Sequence, residues 1–365
     1  MTKWDRAKNN NTISNPFTLT FAKVPNVLIE RNAQKNQIED MFNSMTPSNM
    51  IYMITGARGT GKTVMLSELI NSFSEDRDWV TIDLDPLQDL IKQVDYKLKT
   101  GNGKHRNTEV TLNTPEILGA SAELKIKSSK DDDLESSIEK SLEKIKKQGR
   151  RVFIAIDDAS NTEQMRLFSS MYQRLIRHDF PVYLVMTGIA KELQSLQDEK
   201  SLTFLTRALK ITIETLNVTR IRAKYQEVLK IDYELAEDMA KFVKGYTYGF
   251  QVLGYIAWEW QNKKRIFTLD NLIDEFDIQI ADCSYDKIWS ELSDRDKAVL
   301  YHIAEEGIAS VESVRNKLNM TSPSFSTYRM RLIKQGVVNP VRHGYLEISL
   351  PRFDEYVRKN YELLL

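Results

Sequence analysis

The chain has 365 residues with 51 basic and 51 acidic side chains, so no overall field draws it to nucleic acid or a membrane, and any such contact must come from a local patch. Its one cysteine, Cys283, excludes an intramolecular disulfide framework and reads as a small apolar side chain in a reducing compartment. No apolar run reaches the roughly 20 residues that span a bilayer, and Met1-Thr2-Lys3-Trp4-Asp5 lacks a secretory core, so a cytoplasmic protein of two or three domains is expected.

Residues 1–20 are polar and asparagine-rich and read as an extended arm with little core, of which 1–16 precede the first domain. Phe21 to Arg31 gives the first ordered signal, an amphipathic helix follows from Asn32 to Phe42, and Ile51 to Ile54 reads as a strand. That strand leads into Gly56-Ala57-Arg58-Gly59-Thr60-Gly61-Lys62-Thr63, a complete phosphate-binding loop, and a helical pattern runs on from Val64 to Ile70. The glycines let backbone N–H groups turn inward onto phosphates, and the helix that begins there adds its positive dipole end. Lys62 supplies a mobile charge for the β and γ phosphates, and Thr63 offers a hydroxyl to Mg²⁺. Residues Gly56 to Val64 are therefore expected to hold ATP.

Trp79–Leu84, Val152–Ile156 and Val182–Met186 are further continuous apolar runs separated by helical patterns, which predicts an α/β fold: a parallel sheet with helices on both faces. Between the second and third strands, Gly101 to His105 breaks a helix, and Ser121 to Lys127 alternates apolar with polar residues. The alternation predicts an inserted hairpin at about 105–128, pairing with Glu109 to Leu112. A helix follows on Leu134, Ile138, Leu142 and Ile145, with aspartates at its start and lysines at its end to suit the dipole.

The strand Val152–Ile156 ends in Asp157-Asp158. At the carboxyl end of a parallel sheet Asp157 stands where it can hold Mg²⁺ through water, and Asp158 where it can orient an attacking water. Ser160-Asn161-Thr162-Glu163 reads as a capping box for the next helix, which leaves Asp158 free of that duty. Thr187, after the next strand, either points a hydroxyl toward the γ phosphate or caps a strand end. Arg207 lies before the apolar run Ile211-Thr212-Ile213 and is a candidate finger for a neighbouring subunit's γ phosphate, which makes a nucleotide-dependent homo-oligomer a candidate state.

After residue 215 the pattern is helical, with segments at Arg220–Leu229, Tyr233–Val243, Gln251–Trp260 and Leu269–Ile280. Helices at Asp294–Ala304, Ser310–Leu318 and Ser322–Gln335 then precede a hairpin of Val337–Pro340 and Tyr345–Ile348, the order of a winged helix-turn-helix. Its third helix carries Arg329, Arg331 and Lys334 and no acid, and Arg342 and His343 occupy the wing; these are candidate contacts to double-stranded DNA. Met330, Leu332 and Ile333 read as core. Winged helices also serve as protein-contact modules, so that alternative stands beside DNA.

Together the phosphate loop, Ile156-Asp157-Asp158, Thr187, Arg207, the helical segment and the winged helix resemble the AAA+ and STAND-like ATPases of the archaeal-ATPase and origin-initiator-like group. The lead-in Phe21 to Arg31 is similar to that group's, which ends in Gly-Arg and lies against the adenine; here Glu30 stands in the glycine position. Gly245 to Gly254 also looks like the group's lid. The resemblance runs from about residue 17 and implies a P-loop ATPase domain over 17–215, a lid over 216–285, a winged helix over 286–365, and ATP and Mg²⁺ as ligands between core and lid. Two departures bear on mechanism. Asp158 stands where initiator-type members carry glutamate, shorter by about 1.5 Å, and no lid arginine is present near Phe250 or Gln251. Both favour a slowly hydrolysing, nucleotide-controlled switch. The alternatives to a DNA-associated ATPase are a signalling or defence ATPase that binds protein through its winged helix and hairpin, and a nucleotide binder that does not hydrolyse.

Overall fold

The computed structural model describes residues 14–20, 24–101 and 131–363; the expected hairpin at 105–128, the arm up to residue 13, and Phe21, Ala22 and Lys23 lie outside the described residues. The chain divides into two compact units, Lys35–Ile54 with Glu68–Ile211, and Met1–Gln34 with Thr55–Ser67 and Thr212–Leu365.

The first unit is built from α1 (Asn32–Asn43), β1 (Ile51–Thr55), α2 (Lys62–Glu75), β2 (Trp79–Leu84), α3 (Leu90–Gly101), α4 (Asp131–Lys147), β3 (Arg151–Ile156), α5 (Glu163–Arg177), β4 (Val182–Gly188), α6 (Ala190–Gln197) and β5 (Leu209–Thr212), although α1, α2, β1 and β5 each run past its boundary. The five strands form one parallel sheet in the order β2-β3-β4-β1-β5. Successive side chains of a strand point to opposite faces, and both faces are covered, which is why these strands read as unbroken apolar runs. Met53, Ile82, Ile154 and Leu184 share one buried cluster with Leu98, Ile138, Phe168 and Leu193 of α3 to α6. Tyr52, Phe153 and Tyr183 turn to the other face and meet Phe42 of α1 and Phe73 of α2, with ring centroids 4.9 Å apart for Phe42–Tyr183 and 4.5 Å for Phe73–Phe153. Burying each ring contributes about 1.5–3 kcal/mol, so this layer anchors the sheet.

The second unit continues with α7 (Val218–Leu229), α8 (Tyr233–Phe242), α9 (Thr247–Asn262), α10 (Leu269–Ile280) and, after a wide turn at Ala281–Tyr285, α11 (Asp286–Ser290). Asn217 caps α7 and Asp232 caps α8 through their side-chain oxygens. The winged helix-turn-helix follows as α12 (Asp294–Glu306), β6 (Ile308–Ser310), α13 (Val311–Lys317), α14 (Ser322–Lys334), β7 (Val338–Arg342), β8 (Tyr345–Ile348) and α15 (Phe353–Glu362). Its sheet is antiparallel in the order β6-β8-β7, and Pro340, which lacks a ladder donor, sits on the edge strand where the register slips. Strand β6 and helix α15 are additions to the elements expected from sequence. Helices α7 to α10 and the winged helix share one buried cluster, which also takes in Phe17, Val27 and Ile29. Phe17 packs edge-on to Phe250 at 5.7 Å, and it fits because residue 254 is glycine, whose added Cβ would stand 2.3 Å from the Phe17 ring. The reading of residues 1–20 as an arm with little core is thus corrected at Phe17. No helix among the described residues is long and apolar enough to cross a membrane.

Candidate nucleotide-binding site

Strand β1 delivers the chain into the loop, and α2 begins at Lys62, so the loop closes in the first turn of a helix, whose positive dipole end lies there. Lys62 is buried, and its Nζ donates to the carbonyls of Gly56 (3.1 Å) and Ala57 (2.9 Å). The Thr60 hydroxyl donates to the Ala57 carbonyl at 2.8 Å.

Elements far away in sequence hold the loop's other carbonyls. The Tyr248 N–H donates to Gly59 O at 3.1 Å, and the Thr247 hydroxyl donates to Thr60 O at 3.0 Å. The Arg31 guanidinium reaches Thr60 O at 3.2 Å and Glu214 O at 2.8 Å. At Gly59, with φ +75°, an added Cβ would sit 2.1 Å from the Tyr246 hydroxyl, so both the backbone conformation and the packing require glycine. Burial pushes the Tyr246 phenol up to about 12, so it stays neutral, and it shares a 2.8 Å hydrogen bond with the Ser284 hydroxyl. The winged-helix side of the unit also reaches the loop: Arg58 pairs with Glu291 at 2.8 Å, and Gly336 packs so closely that its Cβ would stand 2.3 Å from the Ala57 methyl.

In the other unit, the register that sets Ile156 opposite Met186 brings Asp157 and Thr187 to adjacent strand ends. Thr187 is buried; its hydroxyl donates to Asp157 Oδ1 and accepts the Asp158 N–H at 3.1 Å, while its carbonyl accepts the Ala159 N–H at 2.8 Å. Asp158 is exposed and left-handed, with φ +52°. The cap of α5 is Thr162, which accepts the Met165 N–H at 3.2 Å; this corrects the box expected from Ser160 and still leaves Asp158 outside the cap. Among the described residues no three His, Cys, Asp or Glu side chains converge into a metal cage. Mg²⁺ takes one or two carboxylates with phosphate oxygens and water, and a strand-end carboxylate such as Asp157 fits that donor set.

Residues 28–179 match a family of ATPase domains found predominantly in Archaea. That stretch is similar to an archaeal-type ATPase domain. Residues 283–357 match a family described as a domain of unknown function, and no curated protein sequence matches the chain. Among solved structures it is similar to the ORC2 protein of Aeropyrum pernix in its ADPNP–ADP complexes, with a TM-score of 0.61 and 11% identity over 93% of this chain and 95% of that one. The ADP form of the same protein gives 0.51 and 12% over 94% and 97%. Cdc6p of Pyrobaculum aerophilum gives 0.49 and 14% over 94% and 97%. In fold the chain is similar to this archaeal ORC2 protein.

Within this fold the departures seen in the sequence have structural explanations. Glu30 is not among the residues with positive φ, so the backbone there does not need glycine, and its carboxylate accepts from Asn32 Nδ2 at 2.7 Å. Phe250 lies in the core, and the Gln251 amide donates to Val27 O at 2.7 Å while accepting the Thr18 N–H at 3.1 Å. The lid positions that lack an arginine therefore brace the N-terminal segment. Arg207 is exposed at the end of a short helix, Lys200–Arg207, and its carbonyl accepts from Asn49 Nδ2 at 2.8 Å.

On α14 the arginines differ. Arg331 grips the buried Asp296 with two donors and reaches the Ser293 hydroxyl at 3.2 Å, so it braces the fold with part of its side chain still exposed. Lys334 and Arg342 are exposed and Arg329 is half-buried; Met330 is exposed, against its reading as core, while Leu332 is buried. The residues that sequence reasoning passed over are Arg31, Tyr246, Thr247, Glu291 and Gly336. The lead-in and lid runs were the only signal for the first three.

Proposed function

We propose that the chain is a nucleotide-controlled switch that binds ATP with Mg²⁺ and hydrolyses it slowly. Residues Gly56 to Val64 take the phosphates, with Lys62 at the β and γ positions, and Thr63 and Asp157 serve the metal. Asp158 orients the attacking water with help from Thr187, and its short reach slows the step. Arg207 supplies charge to the γ phosphate of a second copy in a nucleotide-dependent homo-oligomer, and the protein works in the cytoplasm. The Aeropyrum pernix protein of the same fold was solved with ADPNP and ADP, which supports nucleotide as the ligand.

The observation that carries the switch is the contact of the winged-helix side with the loop itself, through Arg58–Glu291 and Ala57–Gly336. A phosphate that draws Arg58 from Glu291 moves charge and packing at Gly336, the turn between α14 and the wing. Hydrogen exchange with ATP, with ADP and without nucleotide tests this. Altered protection at 287–292 and 335–338 on adding ATP is the expected result; unchanged protection there with ATP bound would overturn the switch. Turnover in wild type and Asp158→Asn separates slow hydrolysis from a binder that does not hydrolyse.

The output of the switch is double-stranded DNA, held by Arg329, Lys334 and Arg342. Affinity with a steep salt slope, lost in the triple alanine variant, is expected. The internal role of Arg331 favours a second reading, because it lowers the charge α14 can offer a phosphate backbone. In that reading the winged helix binds protein, as in a signalling or defence ATPase, and DNA binding is absent while nucleotide-dependent self-association persists.

A further inference from the structure

The phosphate loop has a support that the proposed roles leave unused. A trans peptide is planar, with its carbonyl and the following N–H pointing in opposite directions. Whatever holds Thr60 O therefore sets the direction of the Gly61 N–H, one of the donors a phosphate must find. Thr60 O accepts from the Thr247 hydroxyl at 3.0 Å and from Arg31 at 3.2 Å. Next to it, the Tyr248 N–H holds Gly59 O at 3.1 Å, and the N–H of that same peptide, on Thr60, donates to Ala57 O at 3.4 Å.

We propose that Arg31 and Thr247 form a clasp that positions the Thr60–Gly61 peptide for phosphate. The proposal rests on the ATP reading above. Gly59 and Gly61 have φ of +75° and +96°, in a stretch where glycine gives each peptide freedom to rotate. A loop that must first stop rotating binds its anion more weakly than one already set. Neither half of the clasp is loose. The Arg31 guanidinium is also tied to Glu214 O at 2.8 Å, just beyond β5, and it reaches the Thr247 hydroxyl at 3.4 Å. Thr247 is the first residue of α9, so its place comes from that helix. A guanidinium suits the task because its fork of donors serves several acceptors at once, which a lysine ammonium on a flexible stem does not reproduce. Arg31 and Thr247 are positioning residues: their partners are loop carbonyls on the side of each peptide opposite the N–H.

Calorimetry on the full chain with Mg²⁺ and either ATP or inorganic tripolyphosphate tests the clasp. Thr247→Val and Arg31→Ala are each expected to weaken both ligands by about tenfold, the equivalent of one hydrogen bond. The double variant should be little worse than Arg31→Ala, because both residues hold one carbonyl. Millimolar guanidinium should restore part of the affinity of Arg31→Ala, which a merely structural loss would not permit. Unchanged tripolyphosphate affinity in Thr247→Val and Arg31→Ala, with wild type binding ATP, would overturn the clasp alone. Failure of the wild type to bind ATP, with Lys62→Ala indistinguishable from it, would overturn the nucleotide reading and the clasp together.

Discussion

The acid pair after β3 and the phosphate loop after β1 are supported in opposite ways. Asp157 and Asp158 take their partner from the neighbouring strand: Thr187 arrives by register, and one hydroxyl serves both residues. The loop takes its partners from positions 29, 187 and 233 residues distant, namely Arg31, Thr247 and Glu291. A motif in a sheet brings its support with it. A motif in a glycine-rich loop depends on whichever remote segments reach its carbonyls, and those segments can also regulate it.

The largest effect expected is on the loop. Lys62→Ala removes a buried ammonium that now bonds two loop carbonyls, and ATP affinity or turnover should fall by about a hundredfold, the scale of losing one charged donor in a preorganised site. Equilibrium binding checks this, and a loss of less than about threefold would mean that the loop does not hold phosphate through Lys62.

Remote support recurs in the winged helix, where Arg331 and the buried Asp296 stand 35 residues apart. Removing one partner of such a pair strands the other charge; with Arg331 partly exposed, Arg331→Met should cost about 2 kcal/mol, below the range for a fully buried pair. Urea unfolding measures it. If Arg331→Met leaves stability unchanged but weakens DNA binding, the arginine is a DNA contact after all.

These supports explain what could and could not be read from the residues. The parallel sheet was legible because strands covered on both faces must be continuously apolar, and the loop because its glycines, lysine and threonine have no cheaper use in that order. The winged helix was legible from its sequence of elements, but β6, three residues long, is too short to show alternation. The clasp at Arg31 and Thr247 and the brace at Arg331 were not legible, because spacing along a chain says nothing about which distant carbonyl or carboxylate a side chain will meet. Arg331 and Arg329 were both basic residues of one helix, and the Asp296 pairing of Arg331 could not be read from that helix alone. The bounds of the buried core behaved similarly: Phe17 looked like part of a polar arm until Gly254 made room for its ring.

The strand-end pair should respond more mildly than the loop. Thr187→Val keeps the shape and removes the hydroxyl that bonds both aspartates, so ATP binding should hold while turnover falls by about tenfold, the equivalent of one hydrogen bond. A parallel loss of binding would show that Thr187 supports the fold rather than the orientation of the acids, and would erase the distinction between the two regions.

The smallest effect concerns pH, and it asks whether remote charges tune the winged helix as they do the loop. Burial holds the His302 imidazole on α12 below its ordinary value of 6.5, Lys317 on α13 adds to the depression, and Glu305 and Glu306 oppose it. Because the folded-state value is the lower one, the unfolded chain takes up the proton first as pH falls. The contribution of His302 to stability is therefore complete above the unfolded value near 6.5, and declines as pH drops through that value toward the folded one. Urea midpoints compared between pH 7.5 and 5.5 should fall more in wild type than in His302→Gln, which cannot take up this proton. Lys317→Gln should shrink the difference, since it removes the charge that reaches His302 from another helix. If Lys317→Gln leaves it unchanged, the depression comes from burial alone, and in this part of the fold the remote charge contributes nothing.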